Sequence, residues 1–159
     1  MTTRWLTPEQ QKHWRAYIAA TELLQDRLSR ELQAAHGLTL SDYEILVRLS
    51  EAPDRRLRMS ELADYTLSSR SRLSHQVDRL ENQGLVERQA CETDRRGANA
   101  VLTQKGWELL VAAAPTHVEG VREHLVDLLS DKEFAAVGKA LATVAEHLQS
   151  PDCATYRSA

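Results

Sequence analysis

Two cysteines in 159 residues, Cys91 and Cys153, with no CxxC and no metal-type spacing, give no disulfide framework and no metal ligand set. A reducing compartment suits such a chain. Long apolar runs are missing as well: nothing approaches the ~20 residues needed to span a bilayer, and MTTRWLTPEQQ turns polar after Leu6 with no secretory apolar region. The expectation is a cytoplasmic protein without a membrane partner. There is no overall basic excess, since the net charge is -3, and this argues against an unselective coat for polyanions. GxSxG, phosphate-cradling glycine loops and HExxH are all absent, so neither an enzyme nor a cofactor is expected. Internal repeats and low-complexity tracts are absent too.

What is present is a series of helix starts. Thr7, Pro8 and Gln10 form a capping box with proline at the first helical position, and a stripe through Trp14, Tyr17 or Ile18, Thr21, Leu24 or Leu28, and Leu32 carries a long first helix to about Ala35, closed by His36-Gly37. Ser41 to Glu44 reads as a second box, opening a helix through Ile45, Leu46 and Leu49 that ends near Pro53. Leu57 and Met59 suit a very short strand before Ser60 caps a third helix, Glu61 to about Tyr65. Ser68 or Ser69 caps a fourth that ends at Asn82-Gln83-Gly84. Residues 85–90 and 98–102 then read as a hairpin whose polar connection, Glu92 to Gly97, forms an exposed tip. Thr103 caps a fifth helix, expected to reach about Leu129 with a kink at Pro115, and Ser130 to Glu133 boxes a sixth that runs to about Leu148.

Two short helices followed by a charged hairpin are the outline of a winged helix-turn-helix, so the fold expected is mostly α with a small β-hairpin. In the fourth helix, Leu73, Val77 and Leu80 face inward, and Arg70, Arg72, His75, Gln76 and Arg79 are expected outward. Ser69, Ser71 and the arginines then occupy the N-terminal half, where a helix laid in a major groove meets base edges. Arg72 and His75 are the candidate base readers, and Arg79 is better placed for a phosphate. At the hairpin tip Arg95 and Arg96 follow Asp94. Arg95 suits a narrow minor groove, and Asp94 suits holding an arginine in position. Double-stranded DNA is the partner these residues imply.

Val118, Val121, Leu125 and Leu128, then Phe134, Val137, Leu141, Val144 and Leu148, repeat at helical seam spacing near the C-terminus. A small winged helix cannot cover such seams together with the first helix, so a homodimer is expected, reading a palindromic operator as two half-sites. The division expected is residues 37–103 as winged helix-turn-helix, 1–36 and 104–150 as dimerisation helices, and 151–159 as a flexible tail.

The stretches SELADYTLSSRSRLSHQVDRLENQGLVER and DRRGANAVLTQKG, with Asp94, Arg95, Arg96, Leu102, Thr103 and Gly106 in place, resemble the MarR-type bacterial transcription regulators over nearly the whole chain. The resemblance implies a dimeric regulator, mostly a repressor, whose wing arginine, here Arg95, enters the minor groove while Asp94 braces the wing. It also implies release of DNA by a small aromatic or phenolic ligand in a cleft beside the winged domain, for which His13, Trp14, Tyr17 and Tyr43 are candidate lining residues and Arg48 (or Arg15) a carboxylate partner. Two positions depart from the family pattern. Gln76 stands where many members carry an aliphatic residue, and no cysteine lies near the start of the first helix, where the peroxide-sensing branch has one. Alternative readings are a redox response through Cys91, a metal response through His117, Glu123, His124 and His147, and a winged helix that only associates with proteins.

Overall fold

A computed structural model of the chain describes residues 2–91 and 94–149, with 94–96 described through the backbone alone. Six helices and a three-stranded antiparallel sheet follow in the order α1 (Pro8–His36), α2 (Leu40–Glu51), β1 (Arg56–Arg58), α3 (Met59–Tyr65), α4 (Arg70–Asn82), β2 (Val86–Cys91), β3 (Asp94–Leu102), α5 (Gln104–His124) and α6 (Asp131–Gln149). This is the mostly helical winged arrangement expected. The strand order is β1-β3-β2, so the returning strand of the hairpin lies in the middle.

The local signals explain most boundaries. Thr7 Oγ1 accepts the Gln10 N–H at 3.2 Å while Gln10 Oε1 accepts the Thr7 N–H at 3.0 Å, closing the capping box that starts α1. Gly37, at φ 70, ends that helix in the left-handed conformation. Ser69 caps α4 by accepting the Arg72 N–H at 3.2 Å. The Ser130 hydroxyl and backbone N–H both donate to Glu133 Oε2, at 2.6 and 2.9 Å, and open α6. Those hydrogen bonds also hold the Glu133 carboxyl below its usual range.

Elsewhere tertiary contacts moved the boundary. The N-cap of α2 is Thr39 rather than Ser41: Thr39 Oγ1 accepts the Asp42 N–H at 3.1 Å, and the Leu40 N–H is taken by Ser29 Oγ of α1 at 3.1 Å. Ser60 is not the cap of α3, because the Arg58 N–H donates to Glu61 Oε2 at 3.1 Å and the helix begins at Met59. Strand β1 is correspondingly Arg56–Arg58, paired with β3 from Arg56↔Val101 to Arg58↔Asn99. The hairpin differs most: β3 starts at Asp94, four residues before the expected Ala98, because after an irregularity at Ala90/Cys91 the pairing resumes as Cys91↔Asp94. Helix α5 ends at His124 rather than near Leu129. Leu125 leaves the helical region at φ -141, and residues 126–128 form a separate 3₁₀ turn.

The chain divides into two compact units, Met1–Gly120 and Val121–Ala159. In the first, Leu32, Ile45, Leu46, Leu49, Leu62, Leu73, Val77, Leu80 and Ala100 are fully enclosed in one core. Each Leu, Ile or Val side chain among them contributes roughly 1.5–3 kcal/mol by leaving water. Gly106 sets the approach of α5 to this core, for a Cβ there would lie 2.1 Å from the Leu85 carbonyl oxygen. In the second unit Arg122 pairs with Asp127 at 2.7 Å, and no residue of α6 is buried. No helix among the described residues is long and apolar enough to cross a membrane.

Candidate nucleic-acid interface

Helix α4 presents two unlike faces. Leu73, Gln76, Val77 and Leu80 form the buried stripe, while Ser69, Arg70, Ser71, Arg72, His75, Asp78 and Arg79 are exposed. The hydroxyls and guanidinium groups of the first turns therefore share an open surface at the helix N-terminus, where the unsatisfied N–H groups and the helix dipole favour an anion. Arg70 and Arg72 form no ion pair among the described residues, so their charge is available.

Gln76 corrects the sequence expectation. It is only 8% exposed, because it follows Leu73 by three residues and precedes Leu80 by four, which places it on the inner stripe despite its amide. It does not belong to the outward face.

Arg79 is outward but already engaged. Its Nη2 meets Asp42 Oδ1 at 2.8 Å, and that carboxylate is almost enclosed, at 8% exposure, while the arginine is 56% exposed. Asp42 Oδ2 also accepts the Thr39 N–H at 3.3 Å, so one carboxylate closes the cap of α2 and tethers α4. On the other flank of α4, the Arg88 guanidinium from β2 reaches Asp78 Oδ1 at 2.6 Å and Glu81 Oε2 at 2.8 Å. The sequence reading singled out neither Asp42 nor Arg88. A signal for Arg88 was present, since Ser74, Asp78 and Glu81 repeat along one edge of α4, and two acids that close on one helix edge call for a nearby cation.

The wing candidates are only partly placed. Asp94, Arg95 and Arg96 begin β3, but their side chains lie outside the described residues, as do Glu92, Thr93 and all of Cys153. Cys91 is described: Arg58 Nη2 donates to its Sγ at 3.2 Å.

The ligand candidates separate into two groups. Tyr43 and Arg48 line a cavity of 460 Å³ with Glu44, Val47, Tyr65 and His117. His13, Trp14 and Tyr17 do not line it; the last two stack on one another, centroids 5.8 Å apart, on exposed positions of α1. Inside the cavity the Tyr43 and His117 rings are 4.7 Å apart, and His117 Nδ1 is buried without a hydrogen-bond partner among the described residues. Burial raises the Tyr43 hydroxyl above its ordinary pKa and lowers the His117 imidazole, the latter partly offset by Glu44. Arg48 Cζ lies 5.9 Å from the centre of the Tyr65 ring, and Arg48 faces Glu51 at 3.8 Å. Among the described residues no group of three His, Cys, Asp or Glu side chains gathers as a metal would require.

Known proteins share this geometry. The MarR family's sequence profile matches residues 36–97, the stretch from the end of α1 into the wing. Sco3205 of Streptomyces coelicolor, a MarR family transcriptional regulator solved in complex with DNA, is 47% identical with a TM-score of 0.90, covering 95% of this chain and 94% of that one. The chain belongs to the MarR family. A second MarR regulator of Streptomyces coelicolor, AbsC, is 50% identical with a TM-score of 0.86, over 92% of this chain and 99% of its own. More distant is the HTH-type transcriptional regulator PecS of Dickeya dadantii, 29% identical over 133 residues that make up 82% of this chain and 79% of PecS. All three of these relatives are transcriptional regulators.

Proposed function

We propose that this MarR protein is a sequence-specific regulator of transcription, acting in the cytoplasm as a homodimer on a palindromic duplex operator, mostly as a repressor. The observation that carries the reading is the capped N-terminus of α4, with Ser69, Arg70, Ser71, Arg72 and His75 exposed together, in a fold shared at 47% identity with a regulator solved on DNA. Arg72 and His75 are the base readers, Arg70 and Arg79 serve the phosphates, and Arg95 of the wing enters the minor groove with Asp94 and Arg96 beside it. The experiment is an electrophoretic shift with the DNA flanking the protein's own gene against random duplex of equal length. Equal affinity for the two would sink the claim of sequence specificity.

Dimerisation is supported by α6, whose Phe134, Val137, Leu141, Val144 and Leu148 are 38, 40, 42, 53 and 61% exposed and share one seam. In this reading residues 37–103 touch DNA, and residues 1–36 and 104–150 form the frame. That functional division differs from the compact division at Gly120 because Leu32 of α1 and Leu110 and Ala113 of α5 are buried in the core of the winged part.

The cavity beside Tyr43 and Arg48 is the proposed seat of a small aromatic or phenolic ligand that releases the DNA. Three rings, Tyr43, Tyr65 and His117, and the Arg48 cation offer stacking and a carboxylate partner. Repeating the shift with a panel of phenolic acids tests it: release should weaken in Arg48→Ala, and release by the same acids from that variant at unchanged concentration would refute the assignment.

A further inference from the structure

Arg88 stands at the root of the wing, paired with Ala100 across β2 and β3, two residues before the irregularity at Ala90/Cys91. Its guanidinium gathers one edge of α4. Nη1 meets Asp78 Oδ1 at 2.6 Å and Glu81 Oε2 at 2.8 Å, and Nη2 donates to the Ser74 carbonyl at 2.9 Å and hydroxyl at 3.2 Å. The Arg88 backbone N–H also donates to Glu81 Oε1 at 2.8 Å. The arginine side chain is 24% exposed, against 50 and 37% for the two acids, so the head group lies between helix and strand rather than in solvent. A planar fork of donors can hold three points of a helix edge at once, which a lysine's single ammonium cannot do.

Two consequences follow. The negative charge of Asp78 and Glu81, which would repel a phosphate backbone, is halved from within the protein by the single Arg88 cation. The hairpin is also locked in direction against α4, so that whatever the wing touches and whatever the helix touches are displaced together. We propose that Arg88 is a positioning residue for DNA recognition, coupling wing and recognition helix into one rigid reader without itself touching DNA. The inference rests on the reading of α4 as the DNA-contacting helix.

The test compares wild type, Arg88→Ala, Arg88→Lys and Glu81→Gln on two probes: a duplex selected by the wild-type protein from a randomised pool, and a scrambled duplex of the same composition. In Arg88→Ala the preference for the selected duplex should fall about 10-fold, the scale of one mismatched base pair. Glu81→Gln should lose less, and Arg88→Lys should fall between. The salt dependence on scrambled DNA should stay that of wild type, because no phosphate contact is removed. An unchanged preference in folded variants overturns the inference. So does a salt slope on scrambled DNA smaller by about one phosphate, which would make Arg88 a backbone contact. Should Arg88→Ala fail to fold, as judged by its thermal melt, Arg88→Lys and Glu81→Gln decide by the same two criteria. If the wild-type chain prefers no duplex over any other, the reading of α4 itself fails and this inference goes with it.

Discussion

Helices α4 and α6 are written in the same apolar code and meet opposite fates. In α4 the stripe of Leu73, Val77 and Leu80 is fully enclosed by its own chain, whereas in α6 every member of the stripe from Phe134 to Leu148 is more than a third exposed. An amphipathic pattern states that a face needs a cover and not which molecule supplies it. For α4 the cover comes from the core of the first unit, and its polar face is free to serve another purpose. For α6 the missing cover is the argument for a second copy.

Breaking each stripe is the sharpest way to separate the two cases. Leu73→Ala should destabilise the fold by about 2–5 kcal/mol, read as a lower urea midpoint that does not vary with protein concentration. Leu141→Asp should leave the first unit folded yet weaken self-association by about 2 kcal/mol or more, the scale of an interface hot spot. Sedimentation would then show monomer at concentrations where wild type is dimeric; a variant that stays dimeric would assign α6 some other cover.

The flank of α4 that faces α2 offers a smaller effect. Asp42→Ala leaves the Thr39 N–H and the inner side of Arg79 without their acceptor, and a loss of about 1–3 kcal/mol is expected in chemical denaturation, toward the low end because Arg79 is half in water. Asp42→Asn keeps the cap and should lose less.

The first unit carries a pH effect through His117. The folded pKa of His117 lies below its ordinary value because burial disfavours the imidazolium. The neutral ring is thus the stable form in the native state, and its contribution is complete above the ordinary pKa of about 6.5 and is lost as pH falls toward the lower folded value. Wild type should therefore lose stability on acidification through this range more steeply than His117→Phe, as measured by melting temperature against pH.

The smallest expected change concerns Leu67, which adopts φ 51 in the turn before α4 and is 75% exposed. Leu67→Gly should relieve the left-handed strain and be neutral to stabilising by about 0.5–1 kcal/mol. A clear loss in melting temperature would mean that the exposed leucine makes a contact that matters.

Much of the architecture was legible because its causes are local. A hydroxyl that accepts the backbone N–H three residues on starts a helix whatever the rest of the chain does, and Thr7, Ser69 and Ser130 behave in that way. The same rule misplaced the start of α2, where Thr39 and Ser41 offered overlapping boxes and a hydrogen bond to Ser29 on another helix settled the choice. Gln76 was misread because its polarity outweighed its position, although helical spacing already placed it among buried neighbours. The arginines of the proposed DNA face were visible in the sequence, but the groups that hold that face in place were not. Asp42 lies 37 residues from Arg79, and Arg88 acts across a strand.

The sequence by itself therefore determined the number of helices, most of their starting points, the winged outline and the chemistry of the exposed end of α4, since all of these follow from hydrogen bonds and periodicities spanning a few residues. Only the tertiary structure decided that Thr39 rather than Ser41 caps α2, that the wing ladder runs back to Asp94, and that arginine bridges clamp α4 on both flanks. Those outcomes depend on which distant groups come within a few ångströms, and no local spacing encodes that.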